Sequence, residues 1–296
     1  MFLLFFCKNI VFAKKDGIVF IENLKTGDIK EGMGFVYKKD KNYNYIVTNY
    51  HVIESSNELY VYNHNRNVKT NAEVIDFDMF TDIAILKVDS ELNLNKVRIS
   101  KNQPKLDEYV FNLDLYNNRF EKGKIISLNN EVISNGSYYN VGIIDSNINE
   151  GNSGGPLFNK NNEVIGLIAL KDIKTNDGFF MSIDYVIDII DKLEKNELYR
   201  PKLGAVFTNT SNLELIKQYG FTISNSEGII ILEFKTNSIL EENGLKLGDV
   251  ITKINDEPID NVVLFQKQLY SLKANEIIKL EFYRDNKLME TNINLK

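Results

Sequence analysis

The chain has 296 residues, 43% apolar and 26% charged, with a net charge of −6. This is ordinary globular composition with material for about one to three domains, and an acidic balance without a basic stripe argues against nucleic acid as a partner. Cys7 is the single cysteine, so no disulfide can form within the chain.

Met1 to Ala13 is mostly apolar and is followed by Lys14 and Lys15. The run falls short of the roughly 20 residues that a helical span needs, and Lys8 and Asn9 interrupt it. Residues 1–15 are expected to be a secretory signal or short N-terminal anchor, with Ala13 suited to cleavage. Cys7 is not expected to carry a lipid, because the bulky Phe6 precedes it.

From Gly17 onward, short apolar runs alternate with Gly, Asn and Asp. Strands are predicted at Ile18–Glu22, Phe35–Tyr37, Tyr45–Thr48, Leu59–Tyr62, Ala72–Asp76 and Ile83–Val88. A second set follows at Tyr109–Leu113, Gly123–Leu128, Asn140–Asp145, Pro156–Phe158, Val164–Leu170 and Gly178–Met181. Spacing of this kind suggests antiparallel sheets, and two all-β lobes are the simplest packing, since barrel closure removes strand edges.

The period then changes. Ile183, Val186, Ile187, Ile190 and Leu193 recur at helical spacing, which predicts a helix over Ile183–Leu198, stopped by Pro201. A linker at about residues 197–202 separates this part from a smaller α+β unit. Strands are expected there at Leu203–Phe207, Gly228–Glu233 and Asp249–Ile254. Helices are expected at Asn237–Glu242 and Val262–Leu272, with a closing hairpin across Asp285-Asn286.

Gly151-Asn152-Ser153-Gly154-Gly155-Pro156 carries the clearest chemistry. It sets a serine among glycines that permit a tight turn with backbone N–H groups pointing outward. A serine needs a positioned base, and the chain has two histidines, His51 and His64. His51 follows the apolar run Tyr45–Val47, whereas His64 lies in the polar stretch Asn63-His64-Asn65-Arg66 and reads as a solvated loop residue. Asp82 opens the run Ile83–Val88. Each of His51, Asp82 and Ser153 therefore falls at a strand end or loop, where a β scaffold can present it. In this reading Ser153 attacks a carbonyl, His51 relays the proton, and Asp82 orients the imidazole. The N–H groups of Gly151 and Ser153 receive the oxyanion. No further His or Cys cluster is available for a metal, and side chains supply both nucleophile and base, so no cofactor is expected. His51 must be neutral to act, and hydrolysis is expected to fall away below about pH 6.5.

The order His, Asp, Ser resembles the HtrA/DegP family of trypsin-like serine proteases. So do the segments Thr48-Asn49-Tyr50-His51-Val52, Thr81-Asp82-Ile83-Ala84-Ile85-Leu86-Lys87-Val88 and Gly151-Asn152-Ser153-Gly154-Gly155-Pro156-Leu157. Gly32-Met33-Gly34-Phe35 stands where that family has a Gly-Ser-Gly-Phe-type strand. Arg200-Pro201-Lys202-Leu203-Gly204-Ala205 is similar to the carboxylate-binding loop of its PDZ domain, and Gly244-Leu245-Lys246-Leu247-Gly248-Asp249-Val250-Ile251 to the helix-to-strand signature. The likeness covers about residues 17–296. It implies a mainly β, two-lobed chymotrypsin-like double β-barrel over 16–198, followed by an α+β PDZ domain over 199–296. One departure stands out: Asn112-Leu113-Asp114-Leu115-Tyr116 replaces a turn in which the family has Gly and Pro.

The resemblance also implies a function. A serine endopeptidase is expected, one that cuts unfolded or damaged extracytoplasmic proteins and is itself secreted or tethered at the outer face of the membrane. C-terminal peptide tails would bind the PDZ groove at Leu203, Gly204, Ala205, Val206 and Phe265, with Phe265 equally able to be a core residue. A homotrimer is the family's assembly. The substrate pocket maps to Asn147, Ile148, Leu167, Ile168 and Ala169. With Asn147 rather than an aspartate at its base, cleavage is expected after small or medium aliphatic residues. A peptide-binding chaperone or scaffold with a latent protease lobe is the alternative. An esterase on the same triad lacks the alternating helices that its elbow motif needs.

Overall fold

The computed structural model describes residues 15–114, 116–134, 137–146, 148–149, 151–171, 177–223 and 227–295. The segment read as a signal or anchor lies outside them except for Lys15, and among the described residues no helix is long and apolar enough to cross a membrane. The chain parts into two compact units between Glu197 and Leu198.

The first lobe contains β1 (Ile18–Lys25), β2 (Asp28–Lys39), β3 (Tyr43–Thr48), β4 (Glu58–Asn63), β5 (Lys69–Asn71), β6 (Glu73–Asp78) and β7 (Ile83–Asp89), with the one-turn helix α1 (Tyr50–Ile53) after β3. They form a seven-stranded sheet in the order β5-β4-β1-β2-β3-β7-β6. β2 is far longer than the predicted Phe35–Tyr37, because it pairs along its length with β1 from Ile18↔Phe35 to Lys25↔Asp28. Those pairings carry the polar stretch Asp28–Glu31, which has no strand-like pattern of its own. Val19, Ile21, Val36, Ile46, Val61 and Leu86 fill the core of this lobe.

The second lobe contains β8 (Tyr109–Asp114), β9 (Arg119–Ser134), β10 (Ser137–Ile144), β11 (Pro156–Asn159), β12 (Val164–Lys171) and β13 (Gly178–Ser182). These close into a barrel, β10-β13-β12-β11-β8-β9, around Val110, Ile125, Ile144, Leu157, Ile165 and Phe180. Helix α2 (Ile183–Glu194) buries Ile183, Val186, Ile189, Ile190 and Leu193. It ends before the predicted Leu198, where Asn196 takes left-handed backbone with φ 54°. Its last residue, Glu194, accepts hydrogen bonds from Tyr37 Oη at 2.9 Å and Lys38 Nζ at 2.7 Å, tying the helix to β2.

The C-terminal unit contains β14 (Ala205–Asn209), α3 (Leu213–Gln218), β15 (Ile229–Phe234), α4 (Ile239–Glu242), β16 (Val250–Ile254), β17 (Glu257–Pro258), α5 (Val262–Tyr270), β18 (Ile277–Arg284) and β19 (Lys287–Asn294). The sheet runs β14-β15-β16-β18-β19, with β17 on β16. Helix α3 has no counterpart among the predicted elements; Asn212 caps it by accepting from Leu215 N–H at 3.3 Å. The β18–β19 hairpin turns at Asp285 and Asn286, with φ 49° and 60°, residue types that tolerate left-handed turns. Asp249, 1% exposed, is held in a fork by Arg284, with Nε at 2.8 Å and Nη2 at 2.6 Å.

Candidate active site

His51 and Asp82 come together because their strands are neighbours. β3 and β7 pair from Tyr43↔Asp89 to Thr48↔Ala84, so the residues after β3 meet those before β7. Asn49 Nδ2 and the Tyr50 N–H both donate to the Asp82 carbonyl, at 3.0 and 3.1 Å. The Asp82 carboxylate then accepts the His51 backbone N–H at 2.7 Å through Oδ1 and faces His51 Nδ1 at 2.7 Å through Oδ2. Asp82 is 1% exposed and sits at φ 56°, a left-handed conformation that aspartate adopts more readily than bulkier residues. A carboxylate only accepts, so the imidazole carries its hydrogen on Nδ1 and keeps the Nε2 lone pair free.

Ser153 is brought to the first lobe by backbone contacts. Its carbonyl accepts the Met33 N–H of β2 at 2.9 Å. Gly154 follows at φ 82°, and a Cβ there would lie 2.2 Å from Met33 O and 2.3 Å from Thr48 Oγ1. Thr48 itself donates to Met33 O at 2.6 Å. On the other side, the Gly154 N–H donates to Ile168 O at 2.8 Å and the Ile168 N–H to Gly155 O at 2.9 Å, which lays β12 beside the serine. The loop is thus clamped between β2 and β12.

His51, Gly151 and Ser153 share one open cleft of about 380 Å³ with Tyr116 and with Ile29, Lys30 and Glu31 of β2. The Ser153 hydroxyl donates to Ala169 O at 3.2 Å; among the described residues no hydrogen bond joins it to His51. Gly151 has φ 92°, and among the described residues neither its N–H nor that of Ser153 is taken by a protein acceptor. Two amides on either side of Asn152, without a protein acceptor among the described residues, are donors of the kind an anionic oxygen requires.

Of the residues mapped to the substrate pocket, Asn147 lies outside the described residues. Ile148 and Ile168 are each 1% exposed and pack in the barrel core with Phe180, while Leu167 and Ala169 are fully buried on β12. In the C-terminal unit Leu203 and Phe265 are core residues, and Phe265 meets Phe207 with ring centroids 5.3 Å apart. Val206 packs in a second cluster with Ile216 and Ile230. Gly204 takes φ 72° at the entry to β14, and β14 is an edge strand of its sheet. His64 lies 3.7 Å from Asp16. The sequence gives no site role to Met33, Thr48 or Tyr116, although each stands in a segment compared with the family, and it places Asn149 only in the wall of the substrate pocket. The contacts of Met33 and Thr48 with the Ser153 loop are made through backbone atoms and a hydroxyl, which residue types along the chain do not announce.

The trypsin-like peptidase domain model matches residues 32–167, and the PDZ domain model residues 201–295. Over 294 residues, the chain is 31% identical to the serine protease Do-like HtrA of Lactococcus lactis subsp. lactis, covering 90% of this chain and 70% of the relative. The chain belongs to the HtrA family of serine proteases.

As an HtrA-family member it is a serine endopeptidase, with a trypsin-like domain followed by a PDZ domain. It is also 31% identical to a probable periplasmic serine endoprotease DegP-like of Pseudomonas putida, over 89% of this chain and 55% of that longer relative. Both relatives carry protease names, which favours the enzyme over a scaffold with a latent lobe. Among solved structures, the serine endoprotease from Yersinia pestis matches with TM-score 0.70 at 23% identity, covering 98% of this chain and 97% of the other. An HtrA-type protease, AlgW with decapeptide, matches with TM-score 0.70 at 18% identity, covering 97% of each chain. At these identities the likeness is one of fold.

Proposed function

We propose that Ser153 is the nucleophile of this HtrA-family endopeptidase, His51 its general base and Asp82 the group that orients the imidazole. The observation that carries the reading is the buried Asp82 carboxylate 2.7 Å from His51 Nδ1, with Ser153 in the same cleft. In the reaction the Ser153 hydroxyl turns from Ala169 O to His51 Nε2. Oγ bonds to the scissile carbonyl carbon as its proton passes to Nε2. The carbonyl oxygen gains the negative charge, and the N–H groups of Gly151 and Ser153 receive it. Collapse breaks the C–N bond, and His51 gives its proton to the leaving amine. Water then enters by the same path in reverse and frees the serine.

The chain would act on unfolded or damaged proteins outside the cytoplasm, with residues 1–15 as the signal or tether, 16–198 as the protease domain and 199–296 as the PDZ domain. The uncharged stretch Leu167-Ile168-Ala169-Leu170 beside Ser153 supports cleavage after small or medium aliphatic residues. Capture of C-terminal tails is supported by β14, whose open edge would accept a peptide as a further strand. The Leu203-Gly204-Ala205 loop would receive the terminal carboxylate. A homotrimer is the assembly we propose from the family.

The test is casein digestion and fluorophosphonate labelling by wild type and Ser153→Ala. Labelling and digestion that vanish together in the variant are expected. Digestion that persists in Ser153→Ala removes Ser153 from the chemistry. A peptide-library profile dominated by Lys or Arg overturns the proposed cleavage preference.

A further inference from the structure

The turn in which this chain departs from its family ends β8. Strand alternation sets Val110, Asn112 and Asp114 on one face. Val110 is in the barrel core; Asn112 and Asp114 are 0% and 1% exposed. A carboxylate so far from water needs donors, and among the described residues Asp114 has three. Oδ1 accepts the Tyr116 N–H at 2.9 Å and the Asn117 N–H at 2.6 Å, and Oδ2 accepts from Asn149 Nδ2. Two residues earlier, Asn112 Oδ1 accepts the Ser146 hydroxyl at 2.8 Å. Ser146 lies against Gly123, where a Cβ would come within 2.6 Å of its own. β8 therefore grips the segment before Ser153 at two points, Ser146 and Asn149. The Asn149 carbonyl in turn accepts the Asn152 N–H at 3.1 Å, closing the turn that presents Gly151 and Ser153.

We propose that Asp114 is a positioning residue for the oxyanion loop, holding Asn149 on the same carboxylate that holds the cleft-lining turn at Tyr116. The inference rests on the oxyanion role proposed above for the Gly151 and Ser153 amides. All three partners of Asp114 among the described residues donate, which suits a carboxylate, where an amide would set one donor against another. Tyr116 is 63% exposed in the cleft. A substrate chain that presses on it acts on Asn149 through the shared carboxylate.

The experiment compares the full-length wild type with Asp114→Leu, Asp114→Asn, Asn149→Ala and the Asp114→Leu/Asn149→Ala double variant. Steady-state kinetics on a chromogenic peptide provides the readout, with Ser153→Ala as background. Removing one oxyanion donor costs about 10²- to 10³-fold in comparable sites; here the donors are loosened rather than removed. Asp114→Leu and Asn149→Ala are each expected to lower kcat by about 10- to 100-fold with KM changed by less than about threefold. The double variant should be no worse than Asp114→Leu, since both remove one link. Asp114→Asn should recover part of the rate, because the Asn149 amide can turn to accept. Asn149 is half-exposed and Asp114 keeps its two backbone donors in Asn149→Ala, so this variant reads the link with less disturbance of the fold than Asp114→Leu, and its melting temperature is measured alongside. Unchanged kcat in Asn149→Ala, losses that multiply in the double variant, or losses confined to KM overturn the proposal. Wild type no faster than Ser153→Ala would instead remove the proposed nucleophile, and the positioning role with it.

Discussion

Gly154→Ala tests whether the clamp between the two lobes sets the nucleophile. The added methyl would sit 2.2 Å from Met33 O and 2.3 Å from Thr48 Oγ1, against ordinary contact from 3.4 Å. One neighbour is backbone and the other is pinned to that same carbonyl at 2.6 Å, so neither can swing away. The Ser153 loop must instead retreat by about 1 Å, and it loses the Met33 N–H bond at 2.9 Å. Alanine at φ 82° adds a further strain of about 1 kcal/mol. A misplacement of about 1 Å at a reacting group costs roughly 10²-fold. The expected result is kcat/KM on a peptide substrate down by about 10²-fold or more. Fluorophosphonate labelling should slow in step, and the protease unit should lose about 2 kcal/mol in denaturant titration, from the lost hydrogen bond plus the strain. Activity within threefold of wild type at unchanged stability would refute the reasoning, because the loop would then have another way to seat Ser153.

Asp82→Asn keeps an oxygen for the His51 N–H but turns an amide donor toward Nδ1, which forces the hydrogen onto Nε2. A loss of about 10⁴ in kcat is expected, as in the general serine-protease template, with the stability change measured alongside. Arg284→Ala leaves the Asp249 carboxylate, 1% exposed, without its fork. The C-terminal unit should lose about 3 kcal/mol, read in its own calorimetric transition of the full chain. At Glu194 partial burial opposes the charge, but hydrogen bonds from Lys38 and Tyr37 outweigh it and hold the carboxyl below its ordinary value. A carboxyl lowered on folding stabilises above its unfolded value, near pH 4.3, and the contribution fades as pH falls through the folded one. The melting temperature of Glu194→Gln should therefore lie below wild type at pH 7 by an amount worth about 1 kcal/mol, and the gap should narrow as pH falls below the ordinary carboxyl range.

Much of this protein can be read along the chain. The spacing of apolar runs marks the strands of both lobes. The helical period from Ile183 to Leu193 marks α2, because burial of one stripe repeats locally. The three segments around His51, Asp82 and Ser153 name the chemistry and the family. Helix α3 escaped because its start rests on the single cap Asn212, and β2 was underestimated because Asp28–Glu31 owes its strand form to β1. Phe265, open from sequence to either groove or core, lies in the core against Phe207.

Residue types and local periods determined most of the elements, the domain order and the candidate reactive groups, since these depend on neighbours within a turn or two of chain. Only the folded arrangement decided what clamps them. The Met33 bond to Ser153, the Thr48 contact behind Gly154 and the Asp114 hold on Asn149 join positions tens of residues apart, through backbone atoms that every residue shares and polar side chains that look like turn formers. No pattern along the chain encodes such meetings, because strand register and barrel closure bring the atoms within hydrogen-bond reach.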